Sequence, residues 1–259
     1  MVRAKKHLGQ HFLRDPEVAR DITQALTGHR EYRQLLEIGP GTGVLSEYLL
    51  DRNPLDLWMI ELDRESVKYL KKRFPQAAHR IIQGDYLKWQ PEEIFRDSYG
   101  IIGNFPYHIS SQILFKVLET PHNIPEIVCM LQKEVAQRLA SGPGSRRYGI
   151  LSVLLQAFYH VEYLFEVSAA SFHPPPKVDS AVIRLQSLPK PLLDCDPGLF
   201  RKIVKQGFQN RRKTLRNALK AFNLPPEVNQ LKVLDKRAEQ LSVADYVALT
   251  NLISPFWSP

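Results

Sequence analysis

From Gln34 to about Gln186, short apolar runs alternate with longer amphipathic segments. The runs LLEIG (Leu35–Gly39), LWMIEL (Leu57–Leu62), RIIQGD (Arg80–Asp85), GIIGN (Gly100–Asn104) and EIVCML (Glu126–Leu131) are short and are closed by Gly, Asp, Glu or Asn. That pattern predicts buried strands. AVIRLQ (Ala181–Gln186) predicts one more. Between them, GVLSEYLLDR, ESVKYLKKRF and SQILFKVLE carry apolar residues at helical spacing, the last with Ser110 or Ser111 as N-cap. Strand–helix alternation of this kind gives an α/β fold, a parallel sheet with helices on both faces.

After Gln186 the pattern changes. SLPKPLLDCDPG is rich in Pro and Asp and has the composition of a linker. Beyond it LFRKIVKQGF, RRKTLRNALKAF and VADYVALTNLI have helical spacing, and Ser242 with Asp245 forms a capping-box pattern. The expected division is a domain over 1–188 and a small helical domain over 189–259.

Charge sharpens that division. The chain has 259 residues and a formal net charge of +8, and residues 190–259 hold 12 Lys+Arg against 6 Asp+Glu, a surplus of 6. A basic domain at one end suggests a polyanion such as nucleic acid as partner, although a basic surface can also serve solubility alone. Two cysteines, Cys129 and Cys195, lack the spacing of a disulfide framework or a metal site. His7 and His11 have no thiol or carboxylate spaced to join them, so no metal is expected. No apolar run reaches membrane-spanning length and no apolar stretch backs the basic start, so the expected location is the cytoplasm.

The candidate chemistry sits at strand ends. EIGPGTG places Gly39, Gly41 and Gly43 directly after the first strand, where glycine lets the backbone turn sharply and approach a ligand. A dinucleotide fingerprint would need its third glycine at Val44, so a nicotinamide cofactor is disfavoured. Glu61 closes the next strand, where a carboxylate can bind two ribose hydroxyls, and Asp85 closes the third, where it can accept from an adenine amine. Each is alone compatible with an ordinary turn or helix cap. Three in order on successive strands point to a nucleoside-type cofactor.

The fourth strand ends in NFPY. Asn104 offers a side-chain carbonyl to an amine hydrogen. The Phe105 carbonyl, followed by the fixed turn of Pro106, can accept a second. Tyr107 offers a stacking face to a base. An exocyclic adenine nitrogen is a poor nucleophile because its lone pair is delocalised into the ring. Acceptors placed for a pyramidal nitrogen localise that pair, which favours the transition state over the ground state. The plainer alternative is a proline turn capped by Asn104, with Tyr107 in the core.

With KKHLGQHFL, LLEIGPGTG, IELDR, GDYL, NFPY, LQKEVAQRL, YGILSVLLQ, FHPPPKVDSAV and NRRKTLRNAL in this order, the chain resembles the ribosomal RNA adenine dimethyltransferases that use S-adenosylmethionine, most closely the bacterial small-subunit (16S) type. The resemblance implies a Rossmann-like sheet, mostly parallel with one antiparallel strand, plus a small all-helical C-terminal domain. It implies that His11, Leu13, Gly39, Gly41, Gly43, Glu61, Asp85 and Asn104 line the cofactor site. Asn104 and the Phe105 carbonyl would hold the target amine, with Pro106 shaping the turn. Tyr107 and Phe172 would stack the flipped adenine from either side. Two positions depart from the common pattern: His11 stands where the family often has Asn, and Phe105 where it often has Leu.

The implied substrate is a pair of adjacent adenosines in the 3′-terminal hairpin loop of 16S rRNA in the small ribosomal subunit, whose loop bases are already partly unstacked. RNA-backbone contact is expected from Arg211, Arg212 and Lys213, with Arg216, Lys5, Lys6, Arg146, Arg147 and Arg3 as further candidates. A monomer is expected. The alternatives are a related enzyme acting on 23S rRNA and conferring macrolide resistance, and a non-catalytic assembly factor that only binds rRNA.

Overall fold

The computed structural model describes residues 2, 4, 5, 8–52 and 55–257. Strand β1 (Phe12–Leu13) leads into helix α1 (Pro16–Gln24). Asp15 caps that helix by accepting from the Glu17 and Val18 amides, and Pro16 occupies the first turn, where its missing N–H has no helical partner to lose. Then come β2 (Gln34–Ile38), α2 (Val44–Leu50), β3 (Asp56–Glu61), α3 (Arg64–Arg73), β4 (Ile81–Gln83), β5 (Tyr99–Asn104), α4 (Ser110–Val117) and β6 (Glu126–Gln132). They are followed by α5 (Lys133–Ala140), α6 (Ile150–Gln156), β7 (Tyr159–Val167), β8 (Phe172–His173) and β9 (Ser180–Ser187). The last helices are α7 (Pro197–Gln209), α8 (Leu215–Ala218), α9 (Pro226–Asn229) and α10 (Val243–Ile253).

Seven strands form one sheet in the order β4-β3-β2-β5-β6-β9-β7. The pairs β2–β3, β3–β4, β2–β5 and β5–β6 are parallel, and β6–β9 is antiparallel. β5 and β6 are buried along almost their whole length, as parallel strands covered on both faces must be, and Cys129 of β6 belongs to this core. The chain steps outward from β2 through β3 to β4, then returns to β5 on the other side of β2. That reversal opens a crevice at the carboxyl ends of β2 and β5, where open α/β sheets take ligands. β1 and β8 make a separate antiparallel pair that aligns Leu13 with Phe172.

The spacing at β2 and β5 is tight. A Cβ on Gly103 would come within 2.5 Å of the Ile38 carbonyl oxygen and 3.1 Å of the Phe105 ring. Gly103→Ala should therefore destabilise the fold by about 1–3 kcal/mol through overpacking, read as a lower midpoint in thermal unfolding.

The chain divides into two compact units, residues 1–136 with 161–187, and residues 137–160 with 188–259. Composition alone puts 137–160 in the first domain. They fold with the second unit because α6, buried at Leu151, Val153, Leu154 and Leu155, packs on α7 and α10, and Tyr148 sets its ring 6.2 Å from that of Phe208.

Three further expectations are corrected. Neither Ser110 nor Ser111 caps α4; Ile109 holds the cap position, and Ser110 Oγ donates to the Tyr107 carbonyl. RRKTLRNALKAF yields only the four residues of α8 and a short 3-10 turn at Lys220–Phe222. Its start is held extended because Thr214 bridges Arg237, and the Leu215 amide donates to Lys236. No element is predicted over YHVEYLFEV, where β7 forms the sheet edge. The capping box at Ser242 and Asp245 is present.

Candidate active site

The crevice is walled by the segment Leu8–Leu13, the turn after β2, and the ends of β3, β4 and β5. In the turn, Gly39, Gly41 and Gly43 all have positive φ. At Gly41 the need for glycine is twofold: φ is +58°, and a Cβ would stand 2.9 Å from the Phe12 ring.

Glu61, at the end of β3, ties this turn to the next. One carboxylate oxygen accepts from the Gly41 amide at 3.0 Å, the other from the Asp63 amide at 2.8 Å. Burial raises the Glu61 pKa, and those backbone donors work against the rise. Asp85, after β4, accepts from the Leu87 amide through Oδ1 at 3.0 Å, leaving Oδ2 free among the described residues.

Asn104 donates from Nδ2 to the His11 carbonyl at 3.1 Å. A carbonyl only accepts, so this bond fixes which end of the amide is nitrogen and leaves Oδ1 as the unengaged acceptor. His11 also reaches the Pro174 carbonyl from Nδ1 at 2.8 Å, which places the proton on that nitrogen. Its ring stacks on Tyr107 with centroids 5.6 Å apart. The Tyr107 hydroxyl lies 2.6 Å from Ser180 Oγ, and burial raises the phenol pKa, so the ring stays neutral. The Phe105 ring is fully buried and its amide donates to the Met130 carbonyl, so of its polar backbone groups the carbonyl is the one left for a ligand at the crevice that this residue lines. Pro106 and Leu13 also line the crevice.

Phe172 is not brought to this crevice. It pairs with Leu13 in the β1–β8 ladder and packs in the hydrophobic core, 4% exposed, and it is not among the residues that line the crevice. Nothing in the local sequence reveals this pairing, because β1 lies far away along the chain.

Glu37 has no role assigned from sequence, yet it lies in β2 and lines the crevice. An acid inside an otherwise apolar strand is the signal that could have found it. Ser46 Oγ donates to it at 2.6 Å, and burial, with the nearby Glu61 charge, pushes its pKa up to about 8. The unfolded chain releases this proton near pH 4.5, the folded chain only near 8. The contribution to stability is therefore greatest below that lower value and falls as pH rises through the window. Glu37→Gln should flatten this decline, measured as the change in unfolding midpoint between the two ends of the window.

The basic candidates divide. Lys5 is not free for a phosphate: its ammonium lies 2.5 Å from the buried carboxylate of Asp63. Lys6 and Arg3 lie outside the described residues. Arg216 is engaged with Asp235, and Arg211 donates to the Arg146 carbonyl and sits 3.8 Å from Glu239. The Arg211–Arg146 contact joins two loops of the second unit. Arg146, Arg147, Arg212 and Lys213 are exposed there without a side-chain partner among the described residues.

A family model described as ribosomal RNA adenine dimethylase matches residues 1–254. The chain is similar to a ribosomal RNA small subunit methyltransferase A of Cytophaga hutchinsonii, 54% identical over 98% of each chain. It is 50% identical to the same-named protein of Flavobacterium johnsoniae, over 97% of this chain and 96% of that one. Among solved structures, a dimethyladenosine transferase from Plasmodium falciparum superposes with a TM-score of 0.77 at 26% identity, covering 92% of this chain and 96% of that one. The 23S rRNA methyltransferase ErmE superposes with a TM-score of 0.68 at 25% identity, covering 94% and 99%.

Proposed function

The chain belongs to the ribosomal RNA adenine dimethylase family, and we propose that it dimethylates N6 of two adjacent adenosines in the 3′-terminal hairpin loop of 16S rRNA, acting as a cytoplasmic monomer. It is an rRNA adenine dimethyltransferase dependent on S-adenosylmethionine. The observation that carries the proposed mechanism is the orientation of Asn104: its nitrogen is held by the His11 carbonyl, so its oxygen is the atom available to an incoming amine.

The donor set of the crevice suits a nucleoside. Glu61 would take the ribose hydroxyls, Asp85 Oδ2 the adenine amine, and the glycine turn, with Leu13 and His11, would close around the rest. When bound, S-adenosylmethionine supplies a sulfonium methyl open to in-line displacement. Asn104 Oδ1 and the Phe105 carbonyl would each accept one hydrogen of the target amine and hold its nitrogen pyramidal, with the lone pair directed at the methyl. Tyr107, backed by the His11 ring and fixed by Ser180, would offer its other face to the base. No strong base is needed, because the alkylated amine loses its proton readily to water. Phe172, in this scheme, packs within the β1–β8 pair beside Leu13, which lines the crevice.

Arg146, Arg147, Arg212 and Lys213 would meet RNA phosphates, positioning the particle with little sequence readout. The experiment supplies methyl donor and unmethylated small subunits, then identifies modified nucleosides by mass spectrometry. N6,N6-dimethyladenosine in 16S rRNA is the expected product. Modification of 23S rRNA alone, with macrolide resistance in an expressing host, would favour the activity named for ErmE. Tight particle binding without any methylation would leave an assembly factor.

A further inference from the structure

Lys116 lies in the last turn of α4 and is only partly exposed. A cation there would ordinarily face the helix's own carbonyls or solvent. This ammonium instead reaches another segment. It donates to the Tyr86 carbonyl at 2.5 Å and to the Trp89 carbonyl, and stands 4.9 Å from the centre of the Tyr86 ring. Burial lowers its pKa, while Glu119, Glu92 and Asp85 act as anions that favour its charge.

The segment it grips is the turn that begins at Asp85. The Asp85 carbonyl accepts from the Lys88 and Trp89 amides, and its Oδ1 from Leu87. These bonds hold the start of the turn, and the Tyr86 and Trp89 carbonyls each accept from Lys116. Lys116 satisfies both at once, and its aliphatic stem belongs to the helix that starts three residues after Tyr107. One helix therefore fixes both the target-amine clamp at its beginning and the acidic turn at its end.

We propose that Lys116 is a positioning residue for the cofactor's adenine subsite: it holds the Asp85–Trp89 turn so that Asp85 Oδ2 and the Tyr86 ring present a preformed surface to a purine. This inference rests on the function proposed above. Without the ammonium the turn would have to be ordered by each ligand as it binds, which weakens binding of the adenine half.

The test compares wild type with Lys116→Met, Lys116→Gln and Lys116→Arg, by calorimetry with S-adenosylhomocysteine and with adenosine alone. In Lys116→Met both ligands should bind about tenfold more weakly, by the same factor, because the loss lies in the half they share. KM for the methyl donor should rise in step while kcat at saturating donor changes less than about twofold. Lys116→Arg, which can donate to two carbonyls, should restore most of the affinity, and Lys116→Gln, with one short donor group, should fall between. If Lys116→Met fails to fold, Lys116→Gln against Lys116→Arg carries the comparison. Unchanged affinity for both ligands despite a lower unfolding midpoint would overturn the proposal, as would a loss confined to kcat. Failure of the wild type to bind S-adenosylhomocysteine would instead overturn the proposed function.

Discussion

Asn104→Ala should lower the single-turnover rate of methyl transfer by about 10²–10³-fold, leaving S-adenosylhomocysteine affinity within about threefold of wild type and particle binding unchanged. The size follows from what the side chain does. In the proposed mechanism its oxygen is a fixed acceptor for a hydrogen of the reacting amine, and removing one such preorganised dipole typically costs about 2.7–4 kcal/mol of transition-state stabilisation. The effect belongs to chemistry more than binding, because the acceptor matters most when nitrogen becomes pyramidal. Orientation is set by the bond from Nδ2 to the His11 carbonyl, so Asn104→Asp offers a further distinction. Aspartate keeps an acceptor toward the amine but turns a second oxygen against that carbonyl. Its rate should lie between those of wild type and alanine. An alanine variant that methylates at more than a tenth of the wild-type rate would show that Asn104 is a turn-forming residue and that the clamp lies elsewhere.

Asn104 belongs to the part of the site that is legible in the sequence, and the reason is its locality. NFPY and GPGTG each close a strand, and a strand's apolar run fixes where its end must lie. The order of acids after successive strands then places Glu61 and Asp85 in one crevice, since parallel strands present their carboxyl ends together. What sequence patterns leave out are the pairings between distant segments. Phe172 reads as a base-stacking ring beside a proline run, until its pairing with β1 buries it. Lys5 reads as part of a basic arm, yet Asp63 claims its charge across 58 positions of sequence. Lys116 reads as one more cation on an amphipathic helix, and only the fold brings it to carbonyls 27 and 30 residues away. Helical spacing over Arg211–Phe222 gives way for the same reason, because a bridge from Thr214 to Arg237 outweighs a marginal local propensity.

Glu61→Gln should weaken S-adenosylhomocysteine binding by about 100-fold, the loss expected when two hydrogen bonds to a charged acceptor become poorer ones. The carboxylate accepts from the Gly41 and Asp63 amides, with the Leu62 amide also favouring its charge, and its remaining lone pairs are what the ribose hydroxyls would take. A glutamine at this place must turn an NH2 group toward one of those amides, so the substitution also loosens the glycine turn. The pH dependence separates the two consequences. Burial raises the Glu61 pKa above its ordinary 4.5, so the folded protein binds a proton that the unfolded chain has released. Stability of the ligand-free protein from this group is therefore fully present below pH 4.5 and declines as pH rises toward the folded value. Ligand affinity runs the opposite way, since only the ionised group accepts both hydroxyls: it is full above the folded pKa and falls as pH drops through it. Wild type should thus show affinity rising with pH over the span in which its own unfolding midpoint falls; Glu61→Gln should lose the affinity slope and keep only the part of the stability slope that Glu37 supplies. If the variant keeps a wild-type pH profile for S-adenosylhomocysteine, measured by calorimetry across that span, the ribose is held by another group, and Glu61 serves only to brace the Gly41 turn.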